Sequence, residues 1–286
     1  MALLTAVLVL PAVTGCSQGE RRAEALAIRD SIPRGAGQAI TGTLALELGT
    51  VTIHGDRQVQ LRTGTLAFVA FAAEPKRRRS ALQAKPGGPP VYLTAGRSVY
   101  ARRTTHAVTE RRPWARLDLK RVDQVDKPSL VQLVPLMGPA DVSVLDPQLL
   151  LDLLSGALTG SVKAGAADAD GSREYRFNVS VDKANRTLEL SDDARKDREK
   201  LLRSLAITSD VHPATARLRK DGSLAAFVVT FVVRPDKQAS IPIVATLTVQ
   251  AGSVPDGLAV PDRATTVRVS TLGDIRAALA LRLGSR

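Results

Sequence analysis

An α+β fold built around one antiparallel sheet is what this sequence predicts, and three observations predict it. First, apolar and polar residues alternate with period two in several neighbouring runs, as they do when one face of a sheet is buried. Phe227, Val229, Phe231 and Val233 share a face, and so do Ile241, Ile243, Ala245, Leu247 and Val249. Second, Asp221-Gly222 stands between two such runs, and a tight hairpin turn needs the positive φ that this dipeptide supplies. Third, helical patterning is confined to a few short stretches, between the strand-like runs and at the two ends.

The elements follow in chain order. Residues 1–15 carry no charge and read as the apolar region of an export signal, too short to anchor by spanning a bilayer. They end at Val13-Thr14-Gly15-Cys16, and Cys16 is the chain's one cysteine. Small residues before a thiol are what lipidation and cleavage at a cysteine require, and two or three acyl chains on one residue anchor stably where one is marginal. A buried structural cysteine on an apolar helix is the competing reading. Residues 16–38 then form a lipidated end, a polar tether and a short helix around Arg21–Arg29, stopped by Pro33 and Gly35. The domain proper is 39–286.

Within it, Leu44, Leu46 and Leu48 alternate, and a phase shift at Gly49 signals a turn or bulge. Leu66, Phe68 and Ala70 share one face of a second strand. The run Glu74 to Pro90 reads as a basic segment and a Pro/Gly loop. Val91–Ala95 and Ser98–Arg103 read as a hairpin around Gly96-Arg97, with Trp114–Leu119 as a further strand. Asp146-Pro147 opens a helix through an Asp cap and a proline in the first turn. Its Leu149, Leu150, Leu153 and Leu154 make an apolar stripe, read either as sheet-facing core or as a lid over a cavity. Tyr175 to Val181 alternates as a half-buried strand, Asp192 to Leu205 reads as a charged helix, Thr266–Val269 as a short strand, and Thr271–Leu283 as a closing helix.

Charge is concentrated. The chain carries +12, of which +11 falls between Pro75 and Arg121, and that segment includes Arg77, Arg78, Arg79, Arg102, Arg103, Arg111 and Arg112. A local patch points to an anionic partner, here a lipid headgroup or surface, more than a diffuse excess does. The bland account is a sheet edge guarded by charge. Nucleic acid is not expected, because the cations lack a recognition helix and have few aromatic partners. His54, His106 and His212 are scattered without ligand spacing, so no metal or other cofactor is expected. No Gly-x-Ser-x-Gly, His-Glu-x-x-His or phosphate-loop motif occurs, and the chain is not expected to be an enzyme.

The order of motifs resembles a known family. A cysteine after small residues precedes strands and Trp114-Ala-Arg-Leu-Asp. Asp146-Pro147 with its Leu-rich helix comes next, then a strand ending at Val181-Asp182. Lys220-Asp221-Gly222-Ser223-Leu224, Val260-Pro261 and Asp274-Ile275 close the chain. This is similar to the LppX/LprG-type lipoproteins of actinobacteria, relatives of the lipoprotein carrier LolA. The chain departs from that pattern at His212-Pro-Ala214-Thr-Ala216, where a large apolar residue is usual, and in the basic segment before Pro90.

The resemblance implies a single strongly curved antiparallel half-barrel with helices packed on its concave face. It further implies an apolar cavity for acyl lipid or glycolipid and a role as a lipid carrier of the cell envelope. The expected partners are the membrane (through acylated Cys16), the lipid ligand and an envelope transporter, with the chain acting as a monomer on the extracytoplasmic face. The faces expected to line a cavity are those of Phe68, Phe177, Phe227, Phe231, Ile243 and Leu247, with Leu150 and Leu154 above them. The alternative is a structural or interaction lipoprotein with a closed core, whose basic patch grips an anionic envelope polymer or a partner protein.

Overall fold

Strand β1 (Ala39–Leu48) is the centre of the architecture, with a meander on either side of it. The structure is a computed structural model that describes residues 18–32, 39–48, 51–53, 57–59, 66–71, 79–83, 90–102, 112–121, 147–203, 207–233, 241–250, 259–271 and 274. On one side of β1 lie β4 (Leu66–Phe71), β5 (Arg79–Gln83), β6 (Pro90–Ala95), β7 (Ser98–Arg102) and β8 (Trp114–Asp118). On the other lie β13 (Ile241–Gln250), β12 (Leu224–Val233), β11 (Val211–Leu218), β10 (Arg173–Ser180) and β9 (Lys163–Ala167). The last strand, β14 (Thr266–Val269), joins the edge at β8, so one open sheet of twelve strands results. A separate ribbon pairs β2 (Val51–Ile53) with β3 (Arg57–Val59).

All pairs in the large sheet are antiparallel except β8 with β14, which run parallel. That pair departs from the wholly antiparallel sheet expected from sequence. The reason is topological: the chain returns to this edge from β13, on the far side of β1, by a long connection, so no hairpin dictates the strand's direction. Three elements were not anticipated, the first of them β3 of the separate ribbon. Strand β5 lies in the segment read as basic loop, and helix α3 (Val181–Thr187) takes over where β10 was read as continuing. Ser180 causes that switch, because its Oγ accepts a hydrogen bond from the Lys183 amide and caps the new helix.

Register puts the apolar residues on one face. Gly42 stands opposite Phe68, Leu44 opposite Leu247, Phe227 opposite Leu247, and Phe177 opposite Ala214. This face forms one contiguous core with residues of every helix: Ile28 of α1 (Gln18–Asp30), Leu150 of α2 (Pro147–Leu153), Ala184 of α3, and Leu202 of α4 (Asp192–Arg203). The helices therefore bury onto the same side of the sheet. Among the described residues, the opposite side carries a small satellite cluster of Val69, Ala81, Leu93 and Tyr100.

Helix α2 differs from the striped helix the leucines suggested. Every residue from Pro147 to Leu153 is buried, as are Leu154, Ser155 and Gly156 in the 3₁₀ turn that follows. Other helices and the sheet cover it on all sides, so Gln148 and Asp152 enter the interior with the leucines. The closing helix expected over Thr271–Leu283 lies, apart from Thr271 and Asp274, outside the described residues, as do residues 1–17 with Cys16.

Candidate functional site

A cavity of about 800 Å³ opens between the β6–β7 hairpin, α2 and α4. Its apolar wall comes from Val99, Leu119, Leu149, Leu190 and Leu201. This size and mixture, mostly apolar with a few convergent polar groups, fits a small-molecule or single-chain site.

The polar floor is a buried network. Arg198 of α4 donates through Nη2 to Asp152 of α2, and through Nη1 to Asn185 Oδ1 of α3 at 2.6 Å. Gln148, one turn before Asp152, donates to its other oxygen at 3.0 Å. Asp152 and Arg198 keep only 5% and 9% of their exposure, so an ion pair out of water joins the helices beneath the cavity.

The mouth is held by a second, more open cluster. Arg97 sits at the tip of the β6–β7 hairpin, where Gly96 adopts the positive φ of 57° that the turn needs. Its guanidinium forks onto both oxygens of Asp197, and its Nη1 reaches Asp193 one helical turn earlier at 2.7 Å. The hydrogen bond that Arg97 donates to Asp197, reinforced by the charges of both carboxylates, raises the Arg97 pKa. Lys200 of the same helix donates to the Leu119 carbonyl at 2.9 Å, and the Leu119 amide donates to the Arg97 carbonyl at 3.0 Å. Helix α4 is thereby strapped to the end of the sheet on both flanks of the opening.

The rim between α3 and α4 contains the one non-glycine residue with positive φ among the described residues, Glu189 at 50°. The Leu190 amide bonds back to the Asn185 carbonyl and the Glu189 amide to the Arg186 carbonyl, the paired closure of a helix end that normally places glycine here.

The residues expected to line a cavity are placed elsewhere. Phe68, Leu150, Leu154, Phe177, Phe227, Phe231, Ile243 and Leu247 are brought together in the main core, each between 0 and 4% exposed. Phe177 and Phe227 stack with ring centres 6.5 Å apart. None of them lines the 800 Å³ space. The residues that do were read as a hairpin turn, a charged helix, the end of a strand (Leu119) and, for Leu149, the leucine stripe taken as either core or lid. The available signal was the pair Asp193 and Asp197 at helical spacing, together with an arginine at a turn tip.

Of the arginines expected at an anionic surface, Arg79 is exposed at the start of β5, Arg102 is half-buried at the end of β7, and Arg112 is exposed just before β8. Arg77, Arg78, Arg103 and Arg111 lie outside the described residues. His212 is buried against Phe231, with ring centres 4.7 Å apart, and burial lowers its pKa. No cluster of metal-ligating side chains occurs among the described residues. None of the helices described is long and apolar enough to cross a membrane.

No family model matches the chain, and no curated protein does. Among solved structures it is similar to a LolA superfamily protein, NE2245 from Nitrosomonas europaea. The two share 8% identity, with a TM-score of 0.29 over 82% of this chain and 95% of that one.

Proposed function

We propose that this chain is a membrane-anchored extracytoplasmic lipoprotein, acylated at Cys16, that takes the apolar part of a lipid or glycolipid into the cavity between α2, α4 and the β6–β7 hairpin. In this reading the sheet is a half-barrel with the helices on its concave side, as in the LppX/LprG-type lipoproteins, and the protein carries lipid within the cell envelope as a monomer serving an envelope transporter. It is a binding protein, with no catalytic role. The observation that carries the reading is the cavity itself: leucine and valine walls suit an acyl chain, and the Arg97–Asp193–Asp197 cluster at the mouth suits a polar headgroup. Apolar burial rewards the chain, while the ionic mouth orients the head.

A second reading keeps the same anchor but makes the protein structural. What favours it is the filled core, since the aromatic faces best suited to hold acyl chains are already covered. Native mass spectrometry separates the two. The full chain carrying Cys16→Ser is purified without detergent and offered phospholipid and glycolipid. A carrier shows a mass excess equal to a lipid, largely indifferent to salt, and Leu149→Trp abolishes it by filling the cavity. A clean mass after exposure to both lipids rejects the carrier and leaves the structural protein.

A further inference from the structure

On the sheet face turned away from the helices, at the β8–β14 edge, a second depression of about 660 Å³ is bordered by Arg112, Arg116, Arg263 and Arg268. The single acid there, Asp262, is already engaged, because its carboxylate accepts from the Ala264 amide at 3.2 Å and caps the turn before β14. None of the four arginines forms a salt bridge with a carboxylate among the described residues. The parallel register sets Arg268 beside Arg116, and like charges on adjacent strands are unfavourable when nothing lies between them.

Arg116 is nevertheless held in place. Its Nε and Nη2 donate to Ser98 Oγ at 3.3 and 3.1 Å, and its guanidinium lies 5.8 Å from the centre of the Tyr100 ring. That leaves Nη1 without a partner among the described residues. A fixed guanidinium with a spare donor and three further arginines, against one carboxylate among the described lining residues, form a receptor for an oxyanion with several acceptor oxygens. Arginine forks match phosphate oxygens in geometry as well as charge.

We infer that the groove between β8, β14 and the turn at Arg263 binds a phosphate group, presented either by an anionic phospholipid headgroup or by a soluble phosphorylated compound. The inference is independent of the lipid cavity, which lies on the other face of the sheet. Arg112 and Arg116 come from the basic segment, but Arg263 and Arg268 arrive from a region of the chain with little net charge. The fold, not the local sequence, assembles the site.

Trp114 is the only tryptophan in the chain and stands two residues from Arg116, so its fluorescence reports on the groove. The full chain with Cys16→Ser, which has no acyl anchor, is titrated with inorganic phosphate. In a second arm it is titrated with phosphatidylcholine vesicles, with and without phosphatidylglycerol. The expected result is a saturable change in Trp114 emission that weakens as salt rises. In Arg263→Gln/Arg268→Gln, two exposed positions, the affinity falls about tenfold or more. The remote charge control, Lys163→Gln/Arg173→Gln, leaves it unchanged. Response to both phosphate and anionic vesicles assigns the headgroup as the source, and response to phosphate alone assigns a soluble ligand. Absence of both responses overturns the inference, and so does equal weakening by the control pair, which would show that net charge alone is responsible. Mass excess from lipid uptake stays readable in either case, so the two proposals fail separately.

Discussion

Replacing Asp152 by alanine removes the acceptor that keeps Arg198 tolerable in the interior. In the native chain the carboxylate accepts hydrogen bonds from Arg198 and Gln148, and both members of the ion pair are at least nine-tenths buried. After truncation the guanidinium retains, among the described residues, Asn185 as its one side-chain acceptor, a neutral group, and its charge remains out of water. Removing one partner of such a pair costs about 3–5 kcal/mol, much of it the penalty for the orphaned charge. Because a domain has only about 5–15 kcal/mol in hand, D152A stands close to unfolding. The double variant D152A/R198M removes both charges, and methionine fills the stem's volume, so most of the loss is recovered. Urea unfolding at neutral pH, followed by far-ultraviolet circular dichroism, measures each step. If D152A is too unstable to purify, D152N and the double variant carry the comparison. A D152A loss below about 1 kcal/mol at unchanged urea dependence would refute the reasoning, as would a double variant no better than the single.

Other outcomes follow from single contacts. Gly156→Ala places a Cβ on the Ser180 carbonyl oxygen and 3.1 Å from Ala184 Cβ, so the 3₁₀ turn after α2 must move away from the junction of β10 and α3. A loss of about 3 kcal/mol in the same urea assay is expected. Glu189→Gly relieves a left-handed residue at the end of α3, which costs about 1–2 kcal/mol for a side chain. Glycine's extra freedom in the unfolded chain offsets part of that gain, so a stabilisation of up to about 1 kcal/mol is expected, seen as a raised thermal midpoint. Burial holds the folded His212 pKa below its ordinary value of 6.5. The unfolded chain therefore binds the proton first, and stability falls as pH drops below about 6.5 toward the lower folded value. In a urea series over that window, His212→Leu should lack this part of the slope.

Much of the fold is legible where a local rule has one solution. Tyr175, Phe177 and Val179 alternate because β10 buries one face, and the structure places them so. Gly222 and Gly96 both adopt positive φ at the turns their dipeptides signal. Strand β5 is less legible, because Arg79-Ser-Ala-Leu-Gln lacks β-branched residues and follows a basic run. It becomes a strand because β4 and β6 flank it. Helix α3 hides behind the strand pattern that precedes it, and only the Ser180 cap reveals the change.

The amino-acid sequence by itself determined the class of fold, the main hairpins and the concentration of positive charge, since these depend on neighbours a few residues apart. Tertiary structure decided where space and charge remain. Packing fills the aromatic faces in the core and leaves the cavity beside Arg97 and α4, because α2 is buried on every side and the sheet has no room left above its centre. It also decided that Arg116 and Arg268, more than a hundred residues apart in sequence, stand side by side. Period-two alternation encodes which face a residue occupies, but only the register of two distant strands decides which charges meet.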